Sequence, residues 1–251
     1  FAAKEPLVQL MHYWSTGPGY FLMVYGKNVT TLADFPGKKI RTANPASNLT
    51  VTALNGSGQR ISMDAALLAF QAGTIDGILC PTDTPKGFGL GAYVRSCTYA
   101  PFSYQFVFYK LMNKATYDGL PPTVKTIVDS VNAKYCEYYG QLRTWGEQDG
   151  LGYCRYTLGG NYTYPLPGGG TWWEYDLPTQ NPSEYANWLA AVYPSLINTW
   201  IGVNTTRAQL WGNFTAIAQW SNTRFGYWSP GALSGPPTHA SPPPPTPPTF
   251  P

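Results

Sequence analysis

Apolar residues in the first 112 positions fall into short runs that are typical of sheet strands. These runs are five to nine residues long, and turn signals such as Thr16-Gly17-Pro18-Gly19 separate them. The predicted strands are Val8–Trp14, Phe21–Tyr25, Lys38–Thr42, Ile75–Cys80, Val94–Thr98 and Tyr104–Met112.

Segments with apolar residues at helical spacing alternate with these strands. The segment Asp64–Ala72 stops at Gly73, and a long amphipathic helix runs from Pro121 to about Gly150. Other predicted helices are 45–54, a short one near 83–92, 182–201 and 205–221. The alternation predicts an α/β fold. Two acidic residues of the long helix, Glu147 and Asp149, are expected on its solvent face.

The end of the chain differs sharply in composition from the rest. Residues 229–251 are rich in proline and contain almost nothing that a core could bury, so they predict an extended polyproline II tail. Residues 1–228 are predicted to be globular. Because the chain begins at Phe1, without Met or a signal peptide, we expect a processed or partial product.

Charge and hydropathy exclude several classes of partner. Only 12% of the residues are charged and the net charge is +3, which argues against a nucleic-acid or membrane-surface partner. No stretch of 18 apolar residues occurs, so no membrane span is predicted.

Six glycosylation acceptors of the Asn-X-Ser/Thr type predict an extracellular protein. They are Asn28, Asn48, Asn55, Asn161, Asn204 and Asn213. Roughly two would be expected by chance in such a composition. We therefore expect the chain to be secreted and to carry covalent glycans.

The even number of cysteines agrees with that location. Cys80, Cys97, Cys136 and Cys154 are consistent with two disulfides, and loop length favours the pairs 80–97 and 136–154. Four buried free thiols are the alternative. Metal-ligand spacings are absent, so neither a metal nor a cofactor is predicted.

The chain offers little for catalysis, and we predict that it is not an enzyme. Its two histidines are His12, inside a strand pattern, and His239, in the proline-rich tail. Without a usable histidine, nucleophilic pairs such as Ser-His or Cys-His cannot be built. No pair of carboxylates suited to acid–base catalysis can be justified either, so no catalytic residue is assigned.

Four segments, in order, resemble the solute receptors of tripartite ATP-independent periplasmic (TRAP) transporters. They are TLADFPGKKIRTA (31–43), MDAALLAFQAGTIDG (63–77), YQFVFYKLMNKATYDGLPPTVKTIVDSV (104–131) and PSEYANWLAAVYPSLINTWIG (182–202). The resemblance implies a type II periplasmic-binding-protein-like fold, with a mixed sheet and flanking helices. The family's N-terminal portion is not represented, which implies an incomplete first lobe with an uncovered sheet edge and apolar face.

The same resemblance implies one ligand residue. Arg41 lies where the family's arginine pairs with a substrate carboxylate, although a structural ion pair with Asp34 or Asp64 is the alternative. Two other family ligand positions fall on Phe21, expected in the core, and on Cys80. Their loss predicts weakened capture of small acids.

The tail resembles extensins, the hydroxyproline-rich wall glycoproteins of plants and green algae. Its predicted hydroxylation and O-glycosylation positions are Ser241, Pro242, Pro243, Pro244, Pro245, Pro247 and Pro248. These features favour a structural glycoprotein of an algal-type filament or matrix at the cell surface, with other copies of itself or a companion matrix glycoprotein as partner. The alternative is a solute-binding protein that captures a small carboxylate through Arg41.

Overall fold

The strands form a six-stranded and a two-stranded sheet in the computed structural model, which describes residues 6–104, 106–158 and 172–201. The strands are β1 Val8–Ser15, β2 Tyr20–Val24, β3 Lys39–Thr42, β4 Ser57–Arg60, β5 Gly77–Cys80, β6 Val94–Tyr99, β7 Val107–Asn113 and β8 Trp173–Asp176. The helices are α1 Pro45–Ala53, α2 Met63–Gln71, α3 Thr84–Gly87, α4 Lys114–Asp118, α5 Pro122–Gly152, α6 Leu177–Gln180 and α7 Pro182–Ile201.

The larger sheet has the order β4-β3-β5-β2-β6-β8 and is mixed. The strand β3 is parallel to both β4 and β5, whereas β2 is antiparallel to β5 and β6. This confirms the predicted α/β class, with a mixed sheet and flanking helices.

Local signals explain where the helices begin and end. Asn44 caps α1 by accepting a 2.9 Å hydrogen bond from the Ser47 backbone, with Pro45 in the first turn. Gly73 follows α2 with a φ of 64°, a left-handed conformation that glycine adopts without strain. Each of these boundaries lies within two residues of the predicted one.

The core of the larger sheet contains a cluster of three aromatic rings. Phe21 of β2, Phe35 and Trp188 of α7 contact one another edge to face, with ring centroids 4.8–5.7 Å apart. All three side chains are fully buried. The prediction that Phe21 belongs to the core is therefore confirmed.

The smaller sheet pairs β1 with β7 and is joined to the larger one by two chain crossings. A crossing here is a connection between a strand of one sheet and a strand of the other. The first crossing joins β1 to β2, and the second joins β6 to β7. The long helix α5 contacts both sheets. Its middle part packs on β1, where His12 Nδ1 lies 2.8 Å from Asn132 Oδ1, and its last turns contact α3 after β5. Apolar residues of β7 are exposed, among them Val107, Phe108 and Tyr109.

Several elements differ from the predictions, and three of them have a clear cause or consequence. The strand β4 was missed because its sequence, Ser-Gly-Gln-Arg, has no apolar residue. The predicted helix near 83–92 is broken by Gly89, whose φ of 66° separates α3 from a 3₁₀ turn. The aromatic segment around Trp173 and Tyr175, for which no strand is predicted above, forms the strand β8 parallel to β6.

Several predictions fall on residues outside the described ranges. They are the helix 205–221, the tail 229–251, the acceptors Asn161, Asn204 and Asn213, and the O-glycosylation positions. The division at residue 228 likewise stays a prediction.

The close packing of α5 on the loop after β5 predicts a sharp difference between two glycines of one helix. A Cβ on Gly150 would lie only 2.6 Å from the Asp83 backbone nitrogen, whereas nothing lies within 4 Å of a Cβ on Gly140. Gly150→Ala should lower the free energy of unfolding by about 1–3 kcal/mol through overpacking. Gly140→Ala should raise it by up to about 1 kcal/mol through helix propensity. Urea unfolding of both variants checks this, and equal shifts would contradict the packing described.

Candidate functional site

The order of the strands creates a topological switch point at the carboxyl ends of β3 and β5, where a ligand crevice is expected. From β3 the chain passes through α1 to β4 on one side, and then through α2 to β5 on the other side of β3. The direction of the connections therefore reverses between β3 and β5, whose carboxyl ends lie side by side. In open α/β sheets, ligands bind outside the carboxyl ends of the strands at such a switch point.

Arg41 lies on β3 at this crevice and is 5% exposed. Its Nε donates a 2.8 Å hydrogen bond to the carbonyl oxygen of Ile61. Among the described residues, no carboxylate lies within 4 Å of the guanidinium, and Nη1 and Nη2 have no hydrogen-bond partner.

The alternative of a structural ion pair for Arg41 is therefore wrong for Asp34 and for Asp64. Asp34 instead accepts hydrogen bonds from Thr30 and Thr31 at the start of a short 3₁₀ turn. These bonds outweigh burial and lower the pKa of the Asp34 carboxyl. A buried guanidinium without an anionic partner is costly, so an anion that binds here would gain from it.

Two neutral groups lie near Arg41 in the crevice. Burial is the largest cause of a raised pKa in both. It raises the pKa of the Cys80 thiol, and it raises the pKa of the Tyr104 phenol to about 12. The positive charge of Arg41 opposes both shifts, and the negative charge of Asp83 adds to both. Cys80 and Tyr104 thus stay uncharged at neutral pH.

A cluster of ion pairs links the end of β5 to α5. Arg143 Nη1 donates to Asp83 Oδ2 at 2.6 Å, and Arg143 Nη2 donates to Glu147 Oε1 at 3.2 Å. The other carboxylate oxygen of Glu147 accepts from the backbone nitrogen and the hydroxyl of Thr82, at 2.9 and 2.8 Å. One guanidinium therefore serves two carboxylates at the edge of the crevice.

The prediction that Glu147 and Asp149 lie on the solvent face of the helix is wrong. Both residues are buried, because the last turns of α5 pack against α3 and the loop after β5. Asp149 accepts a 2.6 Å hydrogen bond from Lys86 Nζ. Burial, with the negative charge of Asp83 adding to it, raises the pKa of Glu147 to about 7.

The predicted disulfides are also wrong, since all four cysteines are free thiols. Cys80 pairs with Tyr20 and Cys97 with Leu22, so the strand β2 separates the two cysteines. Two strand spacings amount to about 10 Å, which exceeds the Cα separation of about 7 Å that a disulfide can bridge.

The second pair is prevented by the helix. Cys136 lies within α5 and Cys154 in the π-helical segment that continues it, so they are about 25 Å apart along the axis. Instead, the Cys136 thiol donates to the carbonyl oxygen of Tyr13 at 3.2 Å.

The structure brings two sequence-predicted positions together and leaves the third apart. Arg41 and Cys80 are on adjacent strands at the crevice, whereas Phe21 is in the core. Sequence reasoning missed Asp83, Tyr104 and Arg143. The spacing of four residues between Arg143 and Glu147 could have indicated their pairing, but Asp83 is 60 residues away from Arg143.

Three of the glycosylation acceptors lie in the described ranges. Asn55 is exposed, whereas Asn28 and Asn48 are half-buried. Their occupancy stays a prediction. Within those ranges, no group of three His, Cys, Asp or Glu residues is arranged to hold a metal ion.

Comparison with known proteins decides the family. The sequence profile of the bacterial extracellular solute-binding protein family 7, called DctP, matches residues 4–162, which is more than half of the chain. The chain belongs to this family. The resemblance to TRAP receptors inferred from the four segments is thereby confirmed.

Solved receptors show the same fold as this family 7 member. A TRAP periplasmic solute-binding protein from Rhodoferax ferrireducens, in complex with copurified benzoate, has a TM-score of 0.70 at 22% identity, covering 86% of this chain and 65% of that chain. One from Sulfitobacter with bound β-D-galacturonate has a TM-score of 0.66 at 16% identity, covering 83% and 63%. The Bordetella pertussis receptor DctP7, which binds pyroglutamic acid, has a TM-score of 0.64 at 16% identity, covering 78% and 60%.

This family 7 member therefore spans less than two thirds of the length of these receptors. A search of curated protein sequences found no match.

These findings correct the main functional expectation. They support a solute-binding fold and give no support to a structural filament or an algal matrix protein. The expected partners, other copies of the chain or a matrix glycoprotein, are wrong as well. Family members are transport receptors without enzymatic activity that interact with the membrane components of TRAP transporters.

The family also gives the location in general terms. Its members are extracellular or periplasmic, so this family 7 member acts outside the cytoplasm. In the ranges that the structure describes, no helix has the length and apolar character needed to cross a membrane.

The raised pKa of Glu147 predicts a pH dependence of stability. Between pH 4.5, its ordinary pKa, and about 7, the folded protein holds a proton that the unfolded chain has released. The free energy of unfolding should therefore fall by about 3 kcal/mol as the pH rises through this window. Urea unfolding at several pH values should show that Glu147→Gln removes this fall.

Glu137→Gln, an exposed position of the same helix, is the matched control and should leave the pH profile unchanged. If the profiles of the wild type and Glu147→Gln run parallel, the carboxyl does not titrate as described.

Proposed function

We propose that this chain is the ligand-binding part of a TRAP-type solute receptor and captures a small carboxylate through Arg41. Its partners would then be the membrane components of such a transporter. The proposal rests on one observation: Arg41 is almost fully buried at the switch point between β3 and β5, with Nη1 and Nη2 unpartnered among the described residues.

The chemistry of the crevice supports an anionic ligand group at this place. A carboxylate matches the planar fork of two guanidinium N–H groups and would neutralise the buried charge. The neutral Cys80 and Tyr104 side chains nearby would not repel it. The solved receptors with bound benzoate and β-D-galacturonate hold carboxylates too.

The departures at two family positions shape the expected affinity. Phe21 is in the core and Cys80 offers a thiol in place of an amide, so the carboxylate receives fewer hydrogen bonds than in the family. Each missing bond in a desolvated site costs on the order of 1–3 kcal/mol. Specificity therefore has to come from other groups of the crevice.

Substitution of Arg41 tests the function. In calorimetry of the full chain with a panel of organic acids that includes benzoate, galacturonate and pyroglutamate, Arg41→Gln should weaken binding about 10- to 100-fold, because it removes a charge-assisted pair. Arg41→Lys keeps the charge but loses the fork, so it should give an intermediate affinity.

The matched control is Arg60→Gln, an exposed arginine on the neighbouring strand β4, which should leave the affinity unchanged. Acid binding that is insensitive to Arg41, or no binding of any acid, would overturn the proposed function.

A further inference from the structure

The loop after β5 and the last turns of α5 share a cluster of charged side chains. Asp83 and Glu147 share the single guanidinium of Arg143. The neighbouring cation, Lys86, is bonded to a third carboxylate, Asp149. Asp83 thus shares its cation with a second carboxylate.

Asp83 is the most exposed carboxylate of this cluster. Its side chain is 29% exposed, compared with 4% for Glu147 and 9% for Asp149. One of its carboxylate oxygens accepts the short bond from Arg143, while the other has only a 3.4 Å contact with the Thr84 hydroxyl. The second oxygen therefore has capacity for a stronger donor.

Asp83 and Arg41 belong to one site. Asp83 follows Cys80 by three residues at the carboxyl end of β5, and Arg41 lies on the adjacent strand β3. Arg41 pairs with Ile78 of β5, and Cys80 is two residues further along that strand, so Arg41 and Cys80 lie on the same face of the sheet. The positive Arg41 and the negative Asp83 therefore lie at the same end of these two strands.

Among the residues that the structure describes at this site, a second carboxylate on the solute would meet only cations that already bind carboxylates. The family position that would supply another arginine from β2 is Phe21, which is fully buried in the aromatic cluster. Arg143 already holds two carboxylates, and Asp83 and Glu147 would repel a third.

We propose that the solute is a small zwitterion, with its carboxylate on Arg41 and an ammonium or similar cationic donor on Asp83. This inference rests on the proposed function and specifies its substrate class. The cationic group would bond to the Asp83 oxygen that has only the weak contact with Thr84, while Arg41 receives the anion that it lacks.

Three matched series of ligands test the substrate class in calorimetry with the full chain. They are ω-amino acids, unsubstituted monocarboxylates and dicarboxylates, each from two to six carbons, as in 4-aminobutyrate, butyrate and succinate. At its best length, the amino acid should bind about tenfold more tightly than the monocarboxylate, since a hydrogen bond between charged groups is added. The dicarboxylate should bind most weakly.

Asp83→Asn should abolish the preference for the amino acid and leave binding of the monocarboxylate within about twofold, because the amide lacks the negative charge. Asp118→Asn, which breaks an exposed ion pair with Lys114, is the matched control and should keep the preference. The ligand series in the wild type remains decisive even if Asp83→Asn does not fold.

The outcomes separate the two proposals. Arg41-dependent binding in which the monocarboxylate or dicarboxylate equals or exceeds the amino acid overturns the zwitterion and leaves the receptor function standing. A preference for the amino acid that survives Asp83→Asn also overturns the assignment. Absence of Arg41-dependent binding throughout the three series overturns the receptor function itself.

Discussion

The junction between α5 and the end of β5 is the contact on which the rest of the molecule depends. Thr82 donates two hydrogen bonds to the Glu147 carboxylate, and Gly150 lets the helix backbone approach the loop closely. Because α5 also packs on β1, this one helix fixes the larger sheet relative to the smaller one. It also carries Arg143 to Asp83 and so sets the charge at the crevice. Scaffold and site are therefore held by the same few groups.

The sequence predicts the scaffold well where apolar periodicity and capping residues agree. The strands β2 and β5 and the helix α2 are examples, each with a fully or partly buried apolar face and a clear terminating residue. Prediction failed where tertiary contacts override local pattern. The strand β4 has no apolar residue, and Glu147 looks solvent-facing only as long as the helix is considered alone.

The candidate site could be predicted only in part, for a comparable reason. Arg41 could be predicted because it lies inside a continuous segment, residues 31–43, that resembles the family's sequence motif. The pairing of Asp83 with Arg143 depends on two segments 60 residues apart, which no local pattern connects. The disulfide prediction failed because an even number of cysteines does not show how far apart they lie in the fold. Here the strand β2 lies between Cys80 and Cys97.

The two crossings between the sheets are tied to each other as well as to their strands. The backbone nitrogen of Thr16 donates to the carbonyl oxygen of Phe106 at 2.8 Å, and the Thr16 hydroxyl accepts from the Phe106 nitrogen at 2.9 Å. A rotation of the smaller sheet would therefore have to pivot about this pair, with both crossings turning together. The ring of Tyr104 packs on that of Phe106 with 4.3 Å between their centroids, so such a rotation would also displace Tyr104.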